Sequence, residues 1–445
     1  MIGYYIRLAL KSFGRNPGLT ALMACAIALG IAVSVVTITV YHAMSGDPLW
    51  WKSSRLYAVT MDSWDPNKPF DPKHPELPPP ELSYRDAVAL FRSNIPERKA
   101  IMFTEGGVLS GSSGPGARST PRPVNARVTT SDFFSLFDVP FLYGSGWSAA
   151  ADRKAEPVVV LSREMNDELF GGQNSVGRTL RWNDVPLRVI GVLDRWGPVP
   201  KFYDLNTGAF DPPEDVYLPF GWLTALPELP SGDIECWNHL FDFSLSTFRE
   251  FLNSDCLWQQ MWVELPTRSS RMRMQSFIDA YWAEQHAGGR FARPRNDRLT
   301  DVDDWLADHN VVPDDNRMLV VVSLSFLAVC LINTVGILLA KFLGRGGITG
   351  IRRALGASRG EIFMQHLVEV GVLTAFGALL GLGIAFLGLL GVHVLYADPN
   401  RALTHFDHAS VLWALALTVA SAILAGVYPA WRIGRLAPAW HLKTQ

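Results

Sequence analysis

Charge is scarce in this sequence and unevenly withheld. Asp, Glu, Lys and Arg make up 18% of the 445 residues, below the roughly 25% usual in soluble domains. None occurs from Leu19 to Val40, Met318 to Ala340, Val370 to Leu395 or Ala409 to Pro429. A helix needs roughly 20 apolar residues to cross about 30 Å of hydrocarbon, and each stretch supplies them, which excludes a wholly soluble chain. A formal net charge of −2 leaves no excess of cations to neutralise phosphates, so nucleic acid is not expected as a partner. Cysteine is scarce too. Cys25, Cys236, Cys256 and Cys330 are too few for a disulfide-dense scaffold, and no CxxC pair suggests zinc or dithiol chemistry.

Catalytic motifs are missing as well. No GxxxxGK[ST] loop is present, and Gly344-Arg-Gly-Gly347 lacks the lysine and hydroxyl that would hold phosphate and magnesium. HExxH and GxSxG are absent. His405-Phe-Asp-His408 is a weak metal candidate, set against a polar loop capping the membrane. Asn333 reads as a bond to a neighbouring helix. Glu369 and His393 fall near the ends of the third apolar run, where snorkelling makes ionisable groups cheap, so both read as structural despite their functional interest. No charged transport path or proton relay is visible.

What charge there is carries topology. Arg7, Lys11 and Arg15 precede the first run, Lys341, Arg345, Arg352, Arg353 and Arg359 lie between the second and third, and Arg432, Arg435 and Lys443 follow the fourth. By the bias of cations toward the cytoplasm, both termini and the second connection are expected there. The first run, 22 residues without charge, exceeds a signal-peptide core and reads as a retained span. The expected class is a membrane protein of four transmembrane α-helices, with a large extracytoplasmic α+β domain inserted between helices 1 and 2. The expected order is an amphipathic cytoplasmic helix (1–17), spans at 18–43, 318–343, 365–396 and 409–431, an outer domain (44–317), a cytoplasmic connection (344–364), a short outer loop (397–408) and a cytoplasmic tail (432–445).

Inside the outer domain, Pro75 to Pro80 reads as extended chain and Ser83 to Arg92 as a helix capped by Ser83. Gly111 to Gly116 reads as a loop. Val124–Thr129, Val158–Leu161 and Leu187–Leu193 read as strands, and Ser131–Phe137 and Arg163–Phe170 as helices. The composition then shifts, with Trp237, Trp258, Trp262 and Trp282 among helix formers such as Arg271 to Gln285. A division into 44–224 and a Trp-rich second subdomain, 225–315, is expected, its tryptophans either a small core or an exposed docking patch. Cys236 and Cys256, both on the side expected to be oxidising, form either a disulfide or two buried thiols.

The most informative segment is Gly350-Ile-Arg-Arg-Ala-Leu-Gly-Ala-Ser358. Ile351, Ala354 and Leu355 share a face at helical spacing, edged by Arg352, Arg353 and Arg359. Gly356 can end that turn and Ser358 can cap the next helix, with Ala357 between them. A small apolar stripe bordered by cations suits docking into a groove of another protein. A basic anchor on anionic lipid is the alternative.

These residues, with Glu361-Ile362 and the glycines from Gly371 to Gly388, resemble the coupling region of MacB/FtsX-type ABC transporter permeases. The resemblance extends to Ile6–Phe13, Asn16, Leu29–Ala32, Gly426–Ala430, Arg432, Arg435 and Pro438. In the outer domain, Thr130–Phe134, Phe170–Asn174, Val176–Leu180, Val189–Val192 and Val216–Pro219 resemble, in order, the MacB-like periplasmic core domain. Where the family usually has an acidic residue and an arginine before its coupling glycine, Gly346, Gly347, Ile348 and Thr349 stand here.

The resemblance implies a non-catalytic permease of the bacterial inner membrane. It binds no cofactor itself and passes the ATP- and Mg-dependent closure of two separate ATPase subunits, felt at Gly350 to Ser358, outward by mechanotransmission. It further implies a second permease, identical or paralogous. Peptide, antibiotic or lipid-linked export, with a periplasmic adaptor and outer-membrane channel as further partners, is one function class. Regulation of a cell-wall hydrolase, as by FtsX-like members, is the other.

Overall fold

Within hydrocarbon a single segment can satisfy its own backbone only as a helix, and all four uncharged stretches fold that way. The computed structural model describes residues 2–110, 121–225, 230, 232–237, 247–344, 351–352, 355–395 and 408–434. The chain divides into two units, Met1–Ser45 with Val312–Gln445, and Gly46–Val311.

In the membrane unit an amphipathic helix, Ile2–Phe13, precedes the first span, Pro17–Ser45. The others are Asp314–Leu343, Arg359–Leu395 and His408–Gly434. The first span is held between the second and third at glycines. A β-carbon at Gly30 would lie 2.8 Å from Leu327, and one at Gly381 would lie 2.7 Å from the carbonyl oxygen of Ala28. Small residues let helix backbones approach closely where apolar burial alone drives little association. Ile27, Ile31, Leu331, Leu338 and Leu373 fill the space between the helices. Asn333 faces outward and makes no helix-to-helix hydrogen bond among the described residues, contrary to the sequence expectation. Thr334, one position on, faces inward instead and returns its hydroxyl to the Cys330 carbonyl.

The outer unit is built on β1 (Leu56–Thr60), β2 (Leu82–Ser83), β3 (Arg98–Ser110), β4 (Arg122–Thr129), β5 (Phe141–Gly144), β6 (Val158–Leu161), β7 (Thr179–Trp182), β8 (Val185–Leu193), β9 (Val216–Pro219), β10 (Leu257–Glu264) and β11 (Arg298–Asp301). They join one sheet in the order β11-β1-β10-β3-β4-β9-β6-β8-β5, with β2 on β10 and β7 on both β3 and β8. Pairing is antiparallel except for β4 with β9 and β6 with β8. Local chemistry sets several boundaries. Ser83 and Ser162 cap the helices Tyr84–Phe91 and Arg163–Phe170 by accepting amide hydrogen bonds, and Gly171 ends the latter at φ +64°.

The expected second subdomain, 225–315, does not exist as a separate body. β10 is inserted between β1 and β3, with Trp262 opposite Ala100 and Ala58, so this stretch supplies a central strand of the same sheet. Every residue of β10 is buried. Its alternation explains why. Trp262 enters one core with Phe137 and Phe202, while Met261 and Val263 enter another with Tyr57 and Ile101. Trp258 and Trp262 are therefore core, not docking, residues. The sulfurs of Cys236 and Cys256 are bonded, with their Cα atoms 4.3 Å apart, which ties the segment before β10 to its start.

Candidate coupling site

The third span begins with a capping box. Ser358 Oγ accepts the Glu361 N–H at 3.2 Å, and the Ser358 N–H donates to Glu361 Oε2 at 2.9 Å. Just before it, Leu355 N–H donates to the Ile351 carbonyl at 3.0 Å and Ala357 N–H to that of Arg352 at 3.1 Å, closing one helical turn. Gly356 leaves that turn at φ +103°, a conformation that side chains with a β-carbon rarely adopt. Ile351 is 54% exposed and Leu355 82% exposed, so the turn presents apolar surface without covering it. Gly350, Arg353 and Ala354 lie outside the described residues, as do Gly346 to Thr349. Arg352 is half-buried, and its Nη1 donates to Gln365 Oε1 at 2.8 Å, fastening the turn to the third span.

Behind the turn lies a charged cluster that the sequence reading did not assemble. Lys341 Nζ donates to Glu369 Oε1 at 2.9 Å with both side chains almost fully buried. Ser12 of the amphipathic helix also donates to Glu369. The His366 ring lies 3.7 Å from Glu369 Oε2 and packs against Phe342 at 4.2 Å between centroids, the rings tilted by 46°. The Phe13 ring lies 5.2 Å from Lys341 Nζ. Glu369 is thus not a snorkelling group at an interface. Ile362, His366, Glu369 and Leu373 are all buried and recur at the spacing that turns one face of a helix inward. That periodicity was the available signal.

The outer unit has a buried cluster of its own. Arg127 on β4 donates to Asp204 and Glu214, Tyr203 donates to Glu214 Oε2 at 3.0 Å, and Lys201 lies 3.6 Å from Glu214. Burial would raise both carboxyls, but the charges of Arg127 and Lys201 outweigh it and hold them below the usual range. Glu81 is the opposite case. Burial, reinforced by the charge of Asp204, pushes it up to about 8, and its carboxyl accepts a hydrogen bond from Gln260 at 2.5 Å. Among the described residues no group of three or more His, Cys, Asp or Glu is placed to hold a metal ion. His405 to Asp407 lie outside them.

The MacB-like periplasmic core domain family matches residues 20–266, and the FtsX-like permease C-terminal family matches residues 320–438. The pyoverdine export ATP-binding/permease protein PvdT of Pseudomonas fluorescens is 24% identical over 434 residues, covering 96% of this chain and 57% of its own length. The macrolide export ATP-binding/permease protein MacB of Syntrophobacter fumaroxidans is 24% identical over 355 residues, covering 72% of this chain and 47% of its own. The chain therefore spans about half the length of the curated relatives it matches. The periplasmic region of MacB from Actinobacillus actinomycetemcomitans superposes with a TM-score of 0.36 at 12% identity, over 57% of this chain and 92% of that one.

Proposed function

Since the chain belongs to the MacB/FtsX-type ABC transporter permeases, with a MacB-like periplasmic core domain inserted between its first two spans, we propose that it transmits ATP-driven motion to that domain without performing chemistry itself. ATP and Mg are bound by two ATPase subunits that dock at Ile351 to Ser358. A second permease, identical or paralogous, completes the complex. The amphipathic helix, the coupling turn and both termini face the cytoplasm of an inner membrane. Docking-induced motion of the spans moves the outer unit, which pushes cargo outward. Relatives named for export of pyoverdine and of macrolides support export of peptide, antibiotic or lipid-linked cargo over hydrolase regulation. An adaptor, an outer-membrane channel and membrane lipid are further partners of this reading.

The observation that carries it is the exposed Ile351/Leu355 turn fastened to the third span by Arg352 and the Ser358 capping box. A docking element needs apolar surface open to a partner and a stiff connection behind it. Leu355→Asp tests it, because a charge buried unpaired in such a contact costs several kcal/mol. The variant should lose co-purified ATPase and stimulated ATP hydrolysis while the outer unit stays folded. Undiminished assembly and turnover would leave the turn a lipid anchor.

A further inference from the structure

Every element that meets at Glu369 is separate in the chain. Ser12 comes from the amphipathic helix, Lys341 from the end of the second span, and His366 and Glu369 from the third. The coupling turn reaches the same place, since Arg352 bonds Gln365, the neighbour of His366. A buried ion pair is a poor way merely to hold helices together, because well-packed apolar residues of similar volume often do as well or better, whereas loss of one partner is strongly destabilising. Its geometry is directional. One carboxylate accepts from two helices at once, and Phe13 and Phe342 close over the lysine and the imidazole.

We propose that Glu369 and Lys341 are positioning residues that clamp the coupling turn, the second and third spans and the amphipathic helix into one moving body, so that a push at Ile351/Leu355 displaces the amphipathic helix too. The proposal rests on the docking role assigned to that turn. It predicts a response in a helix that need not touch the ATPase at all.

The test uses the whole complex, permease with bound ATPase, in lipid nanodiscs. Hydrogen exchange of Ile2–Phe13 is compared with and without ATP and vanadate. In the wild type the helix should change its exchange on nucleotide binding. In Glu369→Gln and Lys341→Met the ATPase should remain bound, while the nucleotide-dependent change in this helix falls at least roughly fivefold, the lower end of ordinary coupling between sites. Lys341→Met combined with Glu369→Leu should recover thermal stability but not the response. Ser12→Ala, which leaves the ion pair intact, should silence the amphipathic helix while the third span still responds, and it serves if the single charge variants fail to fold. Recovery of the response in the double apolar variant would make the cluster packing alone and overturn the proposal. So would a wild-type helix that ignores nucleotide while ATPase is bound. Absence of bound ATPase in the wild type would overturn the docking reading, and this proposal with it.

Discussion

Each unit buries a charged cluster, and the two clusters are assembled differently. Around Arg127 two cations meet two carboxylates, and the partners come from one strand, β4, and one short segment, Lys201 to Glu214, with Asp204 and Glu214 lying 77 and 87 residues from Arg127. Arg127 also donates to Gln260 on β10, and the whole network stays within one sheet-based fold. Around Glu369 one carboxylate serves a lysine and a serine from elements 28 and 357 residues away in sequence. The first cluster fastens a fold internally. The second joins three helices that are separate in the chain, and burial by itself therefore does not say which role a charge has.

The comparison is most exposed to failure at Arg127. Arg127→Met leaves Asp204 and Glu214 with Lys201 as the remaining cation beside neutral hydroxyl donors, and should lower the opening free energy of β3 and β4 amides by about 3–5 kcal/mol, read by hydrogen exchange in the full chain. Exchange in the first span should be unchanged. A loss of only a few tenths would make the outer cluster as dispensable as a surface pair. Next in size, replacing Cys236 and Cys256 together with serine should cost about 3 kcal/mol in the chain-entropy picture, again confined to outer-unit amides. Free alkylation of both thiols under native oxidising conditions would contradict the bond.

The smallest effect, taken per pH unit, separates the carboxyls by sign. Glu81 has its folded pKa raised to about 8, so the folded state keeps a proton that the unfolded chain releases. Its contribution to stability is fully present at low pH and is lost as pH rises from about 5 to 8, by up to about 1.4 kcal/mol per unit. Asp204 and Glu214 are depressed and act oppositely, losing their contribution only in acid, below the ordinary carboxylate range. Glu81→Gln should flatten the alkaline slope of outer-unit stability and leave the acid limb in place. An unchanged alkaline slope would show that Glu81 is not the group responsible.

The residues themselves determined whatever depends on near neighbours. Four spans follow from twenty or more residues without charge, and the turn before the third span follows from Gly356, Ser358 and Glu361 acting within one helical turn. The helix capped by Ser83, the helix Arg163–Phe170 and the strands Val158–Leu161 and Leu187–Leu193, the last extended by the structure to Val185, were legible for the same reason. What lay between distant segments was not. β10 reads as part of a tryptophan-rich helical stretch until β1 and β3 close on both its edges. Asn333 reads as an interhelical bond until packing turns its face outward. Glu369 reads as an interfacial group until Ser12 and Lys341 arrive beside it. Periodicity can say that a face is buried, but only tertiary packing decides which other face covers it, and for a buried carboxylate that partner is the difference between an expense and a clamp.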